Sequence, residues 1–134
     1  MNINEYQKLA ETTESKDFDK ISERLTVDNI RFLHAILGLA SELGELADQL
    51  KKHIFYGRPL DKINLSEEAG DLVWYLALVS NVPGMLSLEE TLERNIAKLK
   101  ARYGEKFSEF YAANRNLDSE RKILEGGNRG ICVR

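Results

Sequence analysis

Leu39, Glu42, Gly44, Glu45, Leu46 and Leu50 are answered, always 26 positions later, by Leu65, Glu68, Gly70, Asp71, Leu72 and Leu76. The shared pattern, L-x-x-E-x-G-(E/D)-L-x-x-x-L, limits the fold more than any other feature of the chain, because spacings of three and four share a side only on an α-helix. With about 100° of turn per residue, setting Glu42 at zero places Glu45 near −60° and Leu39, Leu43, Leu46 and Leu50 between roughly +40° and +100°. Glu68, Asp71, Leu65, Leu72 and Leu76 reproduce that layout. Two helices packed through these leucine stripes bring the carboxylates of Glu42, Glu45, Glu68 and Asp71 to a common border. Carboxylates gathered in this way attract a cation.

The surrounding sequence supplies the helices the repeat needs. Asp28 is a candidate N-cap for a helix that Gly57 and Pro59 stop after Tyr56. As one rod it would be about 42 Å long, against a radius of gyration of ~14 Å for a compact domain of this size. It must break near Gly38 or Gly44, or project into a partner subunit. The short loop Gly57-Arg58-Pro59-Leu60 implies an antiparallel return, with Asp61 or Asn64 as cap and an end near Ser80. Ser87-Leu88-Glu89-Glu90 reads as a capping box opening a third main helix that ends at Gly104. Its apolar face is Leu88, Leu92, Ile96, Leu99 and Tyr103, with Asn95, Lys98 and Arg102 beside the stripe. Asn4 is a candidate cap for a short first helix, Phe18 and Ile21 anchor a connector, Phe107, Phe110 and Tyr111 continue in a short helical segment, and Leu117 to Leu124 reads as another. No strand alternation of useful length occurs. The expectation is an all-α antiparallel helical bundle with a short N-terminal helix and a C-terminal helical segment, one domain over residues 1–125, and a mobile tail over 126–134.

Composition narrows the function. A formal charge of −3, from 19 Lys plus Arg against 22 Asp plus Glu, lacks the basic excess that drives binding to a phosphate backbone, so nucleic acid is not an expected partner. No apolar run approaches a membrane span, the first residues lack the features of a signal peptide, and a cytoplasmic location is expected. The single cysteine, Cys132, permits no internal disulfide and reads as incidental.

Either acidic pair alone fits an ordinary solvated helix face; the repetition makes them a candidate site. Gly44 and Gly70 interrupt the two pairs where Ala would favour the helix by about 1 kcal/mol, which suggests close backbone approach. Four carboxylates without thiolate or histidine at ligand spacing select hard, oxygen-loving ions, Mg²⁺ or Mn²⁺, over Zn²⁺. A di-iron bundle requires Glu-x-x-His on two helices, and neither His34 nor His53 has a Glu three residues before it. Carboxylate-bound Mg²⁺ keeps positions open for water and phosphate oxygens, so phosphoryl chemistry is the natural use. Lys98 and Arg102 then offer positive charge to phosphates, with Asn95 hydrogen-bonding beside them. No phosphate-binding glycine loop is present, so any nucleotide must be bound through metal. Ser41 and Ser66 lack a base to activate them, Trp74 and Tyr75 read as core or interface residues, and His34 reads as structural.

These residues resemble a family. Glu42-Leu43-Gly44-Glu45 followed by Glu68-Ala69-Gly70-Asp71 is similar to the E-x-x-E…E-x-x-D signature of the MazG-like all-α nucleoside triphosphate pyrophosphohydrolases, and the stretch from Asn95 to Tyr103 resembles their phosphate-binding helix. The resemblance covers about Phe32 to Phe107. It implies that Glu42, Glu45, Glu68 and Asp71 are catalytic metal ligands for Mg²⁺ or Mn²⁺ and that Asn95, Lys98, Arg102 and Tyr103 hold the triphosphate. It further implies hydrolysis between the α- and β-phosphates, giving a nucleoside monophosphate and pyrophosphate, in a homodimer or homotetramer. Many members carry a Glu directly before the first ligand, where this chain has Ser41; the four ligands remain. General nucleotide-pool housecleaning is the expected role. The alternatives are a narrow dUTP or dCTP pyrophosphatase and a noncatalytic helical assembly module in which the repeat is packing symmetry only.

Overall fold

The structure, a computed structural model, describes residues 1–126. The tail expected over 126–134, apart from Gly126, and Cys132 lie outside the described residues. Seven helices and no strand occur among those described: α1 (Ile3–Thr13), α2 (Phe18–Glu23), α3 (Val27–Tyr56), α4 (Lys62–Ser80), α5 (Leu88–Tyr103), α6 (Glu109–Ala113) and α7 (Leu117–Leu124). The chain is all-α, as its periodicity requires. Its contacts fall into two groups, Met1–Val82 and the residues from Pro83 onward.

In the first group, Asn2 rather than Asn4 caps α1. The Asn2 Oδ1 accepts from the Glu5 backbone N–H at 2.9 Å, and Glu5 Oε2 accepts from the Asn2 N–H at 2.8 Å. This capping box also sets the Glu5 charge against the positive end of the helix dipole. Phe18 and Ile21 belong to the short helix α2, capped by Asp17. Thr26 caps α3, two residues ahead of the expected Asp28, whose carboxylate instead lies in the first turn.

The helix α3 runs unbroken for 30 residues. Neither Gly38 nor Gly44 interrupts it, and Gly57 ends it at a left-handed φ of 66°, where Arg58 N–H donates to the Lys52 carbonyl at 3.2 Å. Asp61 then caps α4 by accepting from the N–H groups of Ile63 and Asn64. The helices α3 and α4 form the antiparallel hairpin that the repeat demands, and they make the most extensive helix–helix contact of the described residues. Gly38 meets Tyr75 near one end and Gln49 meets Asn64 near the other, which sets the register. Leu39, Leu46, Leu65 and Leu72 are partly buried, whereas Leu50 and Leu76 remain exposed.

The close backbone approach occurs at Gly38, not at Gly44 or Gly70. A Cβ on Gly38 would lie 2.1 Å from the Tyr75 ring, while one on Gly44 or Gly70 would meet nothing within 4 Å. Beyond Gly38, Arg31 donates to the Asn81 carbonyl at 3.1 Å, neutralising the negative end of α4.

In the second group, Ser87 accepts from the Glu90 N–H at 3.1 Å to open α5, making that half of the expected box, and Gly104 closes the helix at a φ of 66°. Asn116 caps α7, which packs on α5. Arg102 and Arg94 of α5 reach Glu120 and the Leu124 carbonyl of α7, so polar side chains tie the two helices together.

Candidate metal centre

The hairpin register places Glu42 of α3 opposite Asp71 of α4, and Glu45 opposite Glu68. Glu42, Glu68 and Asp71 each offer a carboxylate oxygen, and these oxygens all lie within 4.8 Å of one another. Glu68 is the buried member, at 6% exposure, Glu42 is half-buried and Asp71 is exposed. The site thus has a floor and an open side. Glu45 stands outside this set of three, although its charge acts on Glu42.

Glu42 shows what the crowding does. Desolvation by its surroundings, then a hydrogen bond with Glu68, then the charges of Glu45, Asp71 and Glu68 hold its carboxyl above the ordinary carboxylate range. Asp48, on the same helix, has the opposite surroundings: hydrogen bonds from Lys52 and Lys51 lower it to about 2. Among the described residues none of the four repeat acids is in an ion pair. Three converging oxygens without a countercharge, one of them buried, fit a hard divalent cation. The residues present therefore suit Mg²⁺ or Mn²⁺.

Two further residues complete this end of the hairpin: Gln49, which the sequence did not single out, and Asn64, expected there only as an alternative cap, a role that Asp61 takes. Asn64 donates its side-chain Nδ2 to Glu68 Oε1 at 2.9 Å, and Gln49 Nε2 donates to Asn64 Oδ1. The four-residue step from Asn64 to Glu68 was available in the sequence as a helix-neighbour spacing. The pairing with Gln49, across helices, was not. At the other end His34 packs edge-on against Tyr75, with ring centroids 5.9 Å apart, and Tyr75 in turn meets Trp74 at 4.8 Å.

The four candidates for holding phosphate lie on or at the end of α5. Lys98 is half-buried and donates to Asn95 Oδ1 at 2.7 Å. Arg102 is committed further: its Nε donates to Glu120 Oε1 at 2.7 Å, its Nη2 to Glu120 Oε2, and its Nη1 to the Tyr103 hydroxyl at 3.4 Å. Arg115 adds a donor to Glu120 Oε2 at 2.7 Å. Hydrogen bonds from Arg102 first and Arg115 second hold the 5% exposed Glu120 carboxyl down at about 2. Glu120 had no distinguishing signal in the sequence, since it is one polar position on a short amphipathic helix.

The family model for the MazG nucleotide pyrophosphohydrolase domain matches residues 31–107. That segment holds all eight candidate residues, from Glu42 to Tyr103, and leaves α7 with Glu120 outside it. No curated protein and no solved structure matches the chain. With more than half of its 134 residues matched, and with both acidic pairs on one antiparallel helical hairpin, the chain belongs to the MazG nucleotide pyrophosphohydrolase family.

Proposed function

We propose that the protein is a Mg²⁺-dependent nucleoside triphosphate pyrophosphohydrolase that converts (d)NTP to (d)NMP and pyrophosphate and so clears the nucleotide pool. The observation that carries this reading is the set of three carboxylates on α3 and α4, free of cationic partners among the described residues, within a matched MazG domain. Glu42, Glu68 and Asp71 hold the ion. Glu45, beside them but outside the set, is the acid left to take the proton of the attacking water. Bound Mg²⁺ or Mn²⁺ supplies positive charge for the phosphate oxygens and acidifies water at the site. Asn95, Lys98, Arg102 and Tyr103 hold the triphosphate, with Lys98 as the cation less committed to other partners. Water oxygen bonds to phosphorus as the α–β bridging bond breaks, and pyrophosphate leaves.

The working form is a homodimer or homotetramer. Apolar side chains on the hairpin support this: Leu43 is 60% exposed, Phe55 76% and Trp74 53%, and large exposed apolar patches mark interaction surfaces. No helix among the described residues is long and apolar enough to cross a membrane.

A panel of NTPs and dNTPs with Mg²⁺, with products resolved as pyrophosphate or orthophosphate, tests the reaction. Monophosphate and pyrophosphate are expected, only with Mg²⁺ or Mn²⁺. Release of orthophosphate and a diphosphate would refute the bond assignment, and turnover of dUTP or dCTP alone would reduce the role to a single nucleotide.

A further inference from the structure

Exchanging the two halves of the repeat maps position 38 onto 64 and position 49 onto 75. The contacts Gly38 to Tyr75 and Gln49 to Asn64 are therefore one contact made twice, once with apolar and once with polar residues. At the apolar end the Tyr75 ring lies directly on the Gly38 backbone and closes the hairpin. At the polar end two amides meet. Because Gln49 donates to the Asn64 Oδ1, the Asn64 amide has one orientation, with its Nδ2 aimed at Glu68 Oε1 at 2.9 Å. Glu42, the repeat counterpart of Glu68, has Gly38 at the corresponding position four residues before it and receives no such bond. The two equivalent acids are thus made unequal by a single residue difference, and the buried one is the one that is held.

We propose that Asn64, anchored across the hairpin by Gln49, is a positioning residue that fixes the Glu68 carboxylate for cation binding. The proposal rests on the reading of Glu68 as a metal ligand. A carboxylate with one oxygen already held by an amide meets the ion without first being ordered, which raises affinity. The relay comes from α3 and from the first turn of α4, so hairpin register and ligand orientation are set together.

Titration calorimetry of the full chain with Mg²⁺ alone, beside kcat and KM at saturating Mg²⁺, tests it. Asn64→Leu and Asn64→Ala should each weaken Mg²⁺ binding roughly 10- to 100-fold, the range for lost partners of metal ligands. Gln49→Leu should weaken it less, and the Gln49→Leu, Asn64→Leu double variant should be no worse than Asn64→Leu alone, since both act through one relay. Arg31→Met removes the hydrogen bond to Asn81, so it should lower Tm and leave Mg²⁺ affinity unchanged. If wild type binds Mg²⁺ and both Asn64 variants bind it equally well, Asn64 is only a staple between helices and the proposal is overturned while the metal centre stands. Wild type that takes up no Mg²⁺ would instead overturn the metal centre, and this proposal with it.

Discussion

At the scale of single residues, the hairpin separates acids that have cationic partners from acids that have none. Asp48 is neutralised by Lys51 and Lys52, whereas Glu42, Glu68 and Asp71 face one another. Replacing Glu68 with Gln keeps its shape and removes its charge. Wild type should gain about 2.7 kcal/mol of stability at a hundred times the Mg²⁺ dissociation constant, and Glu68→Gln should lose that gain together with turnover. Glu45→Gln should lose turnover but retain much of the Mg²⁺ stabilisation, because Glu45 stands outside the set of three. Thermal melts with and without Mg²⁺ measure both; an unchanged metal response in Glu68→Gln would remove it from the ligand set. On α5, Lys98→Ala should lower kcat/KM roughly tenfold to a hundredfold, from a charge-assisted contact of about 1.5 to 3 kcal/mol, with little change in Tm. Arg102→Ala should lower both kcat/KM and Tm, since it leaves Glu120 buried with Arg115 as its remaining partner. Side-by-side kinetics and melts of the two variants distinguish these outcomes.

At the scale of elements, α3 tolerates two glycines for different reasons. Gly38 is required, because a methyl group there would overlap the Tyr75 ring. Gly38→Ala should cost about 1 to 3 kcal/mol by overpacking the hairpin. Gly44 and Gly70 face open space, so Ala at either should add up to about 1 kcal/mol through helix propensity. Denaturant titrations check all three variants. A loss of stability at Gly44 or Gly70 would contradict the expectation and show that something outside the chain packs against that face. The unbroken α3 also answers the question its length raised. Neither glycine breaks it: a propensity cost of about 1 kcal/mol is small beside the packing of the long hairpin, and at Gly38 the missing side chain makes room for the Tyr75 ring.

At the scale of the whole molecule, charge and apolar exposure govern behaviour. The Glu120 carboxyl lies at about 2 against an ordinary 4.5, a lowered folded value. A group of this kind stabilises the fold above its unfolded pKa, and its contribution is lost as pH falls through the folded one. Acid should therefore weaken the packing of α7 on α5 between about pH 4.5 and 2. Glu120→Gln should start less stable at pH 7 and lose that acid dependence; circular dichroism melts across the range report it. Exposed Leu43, Ile54, Phe55 and Trp74 should place the protein as a dimer or tetramer in sedimentation at micromolar concentration. A clean monomer would contradict that assembly.

The helical class, the hairpin, its stop at Gly57 and the pairing of two acidic motifs were all legible in the sequence, because each depends on spacing along one chain and a fixed turn per residue. Capping positions were legible to within a few residues, since Asn2 and Asn4, or Thr26 and Asp28, satisfy the same orphan N–H groups and compete by small margins. Only the tertiary structure decided what lies across from each side chain. It chose Gly38 rather than Gly44 for the close approach, held Glu68 through Asn64 and Gln49, left Glu45 outside the set of three, and joined Arg102 to Glu120. Periodicity assigns a residue to a face, but its partner depends on the register of a separate helix, and that register is the sum of packing along the whole contact.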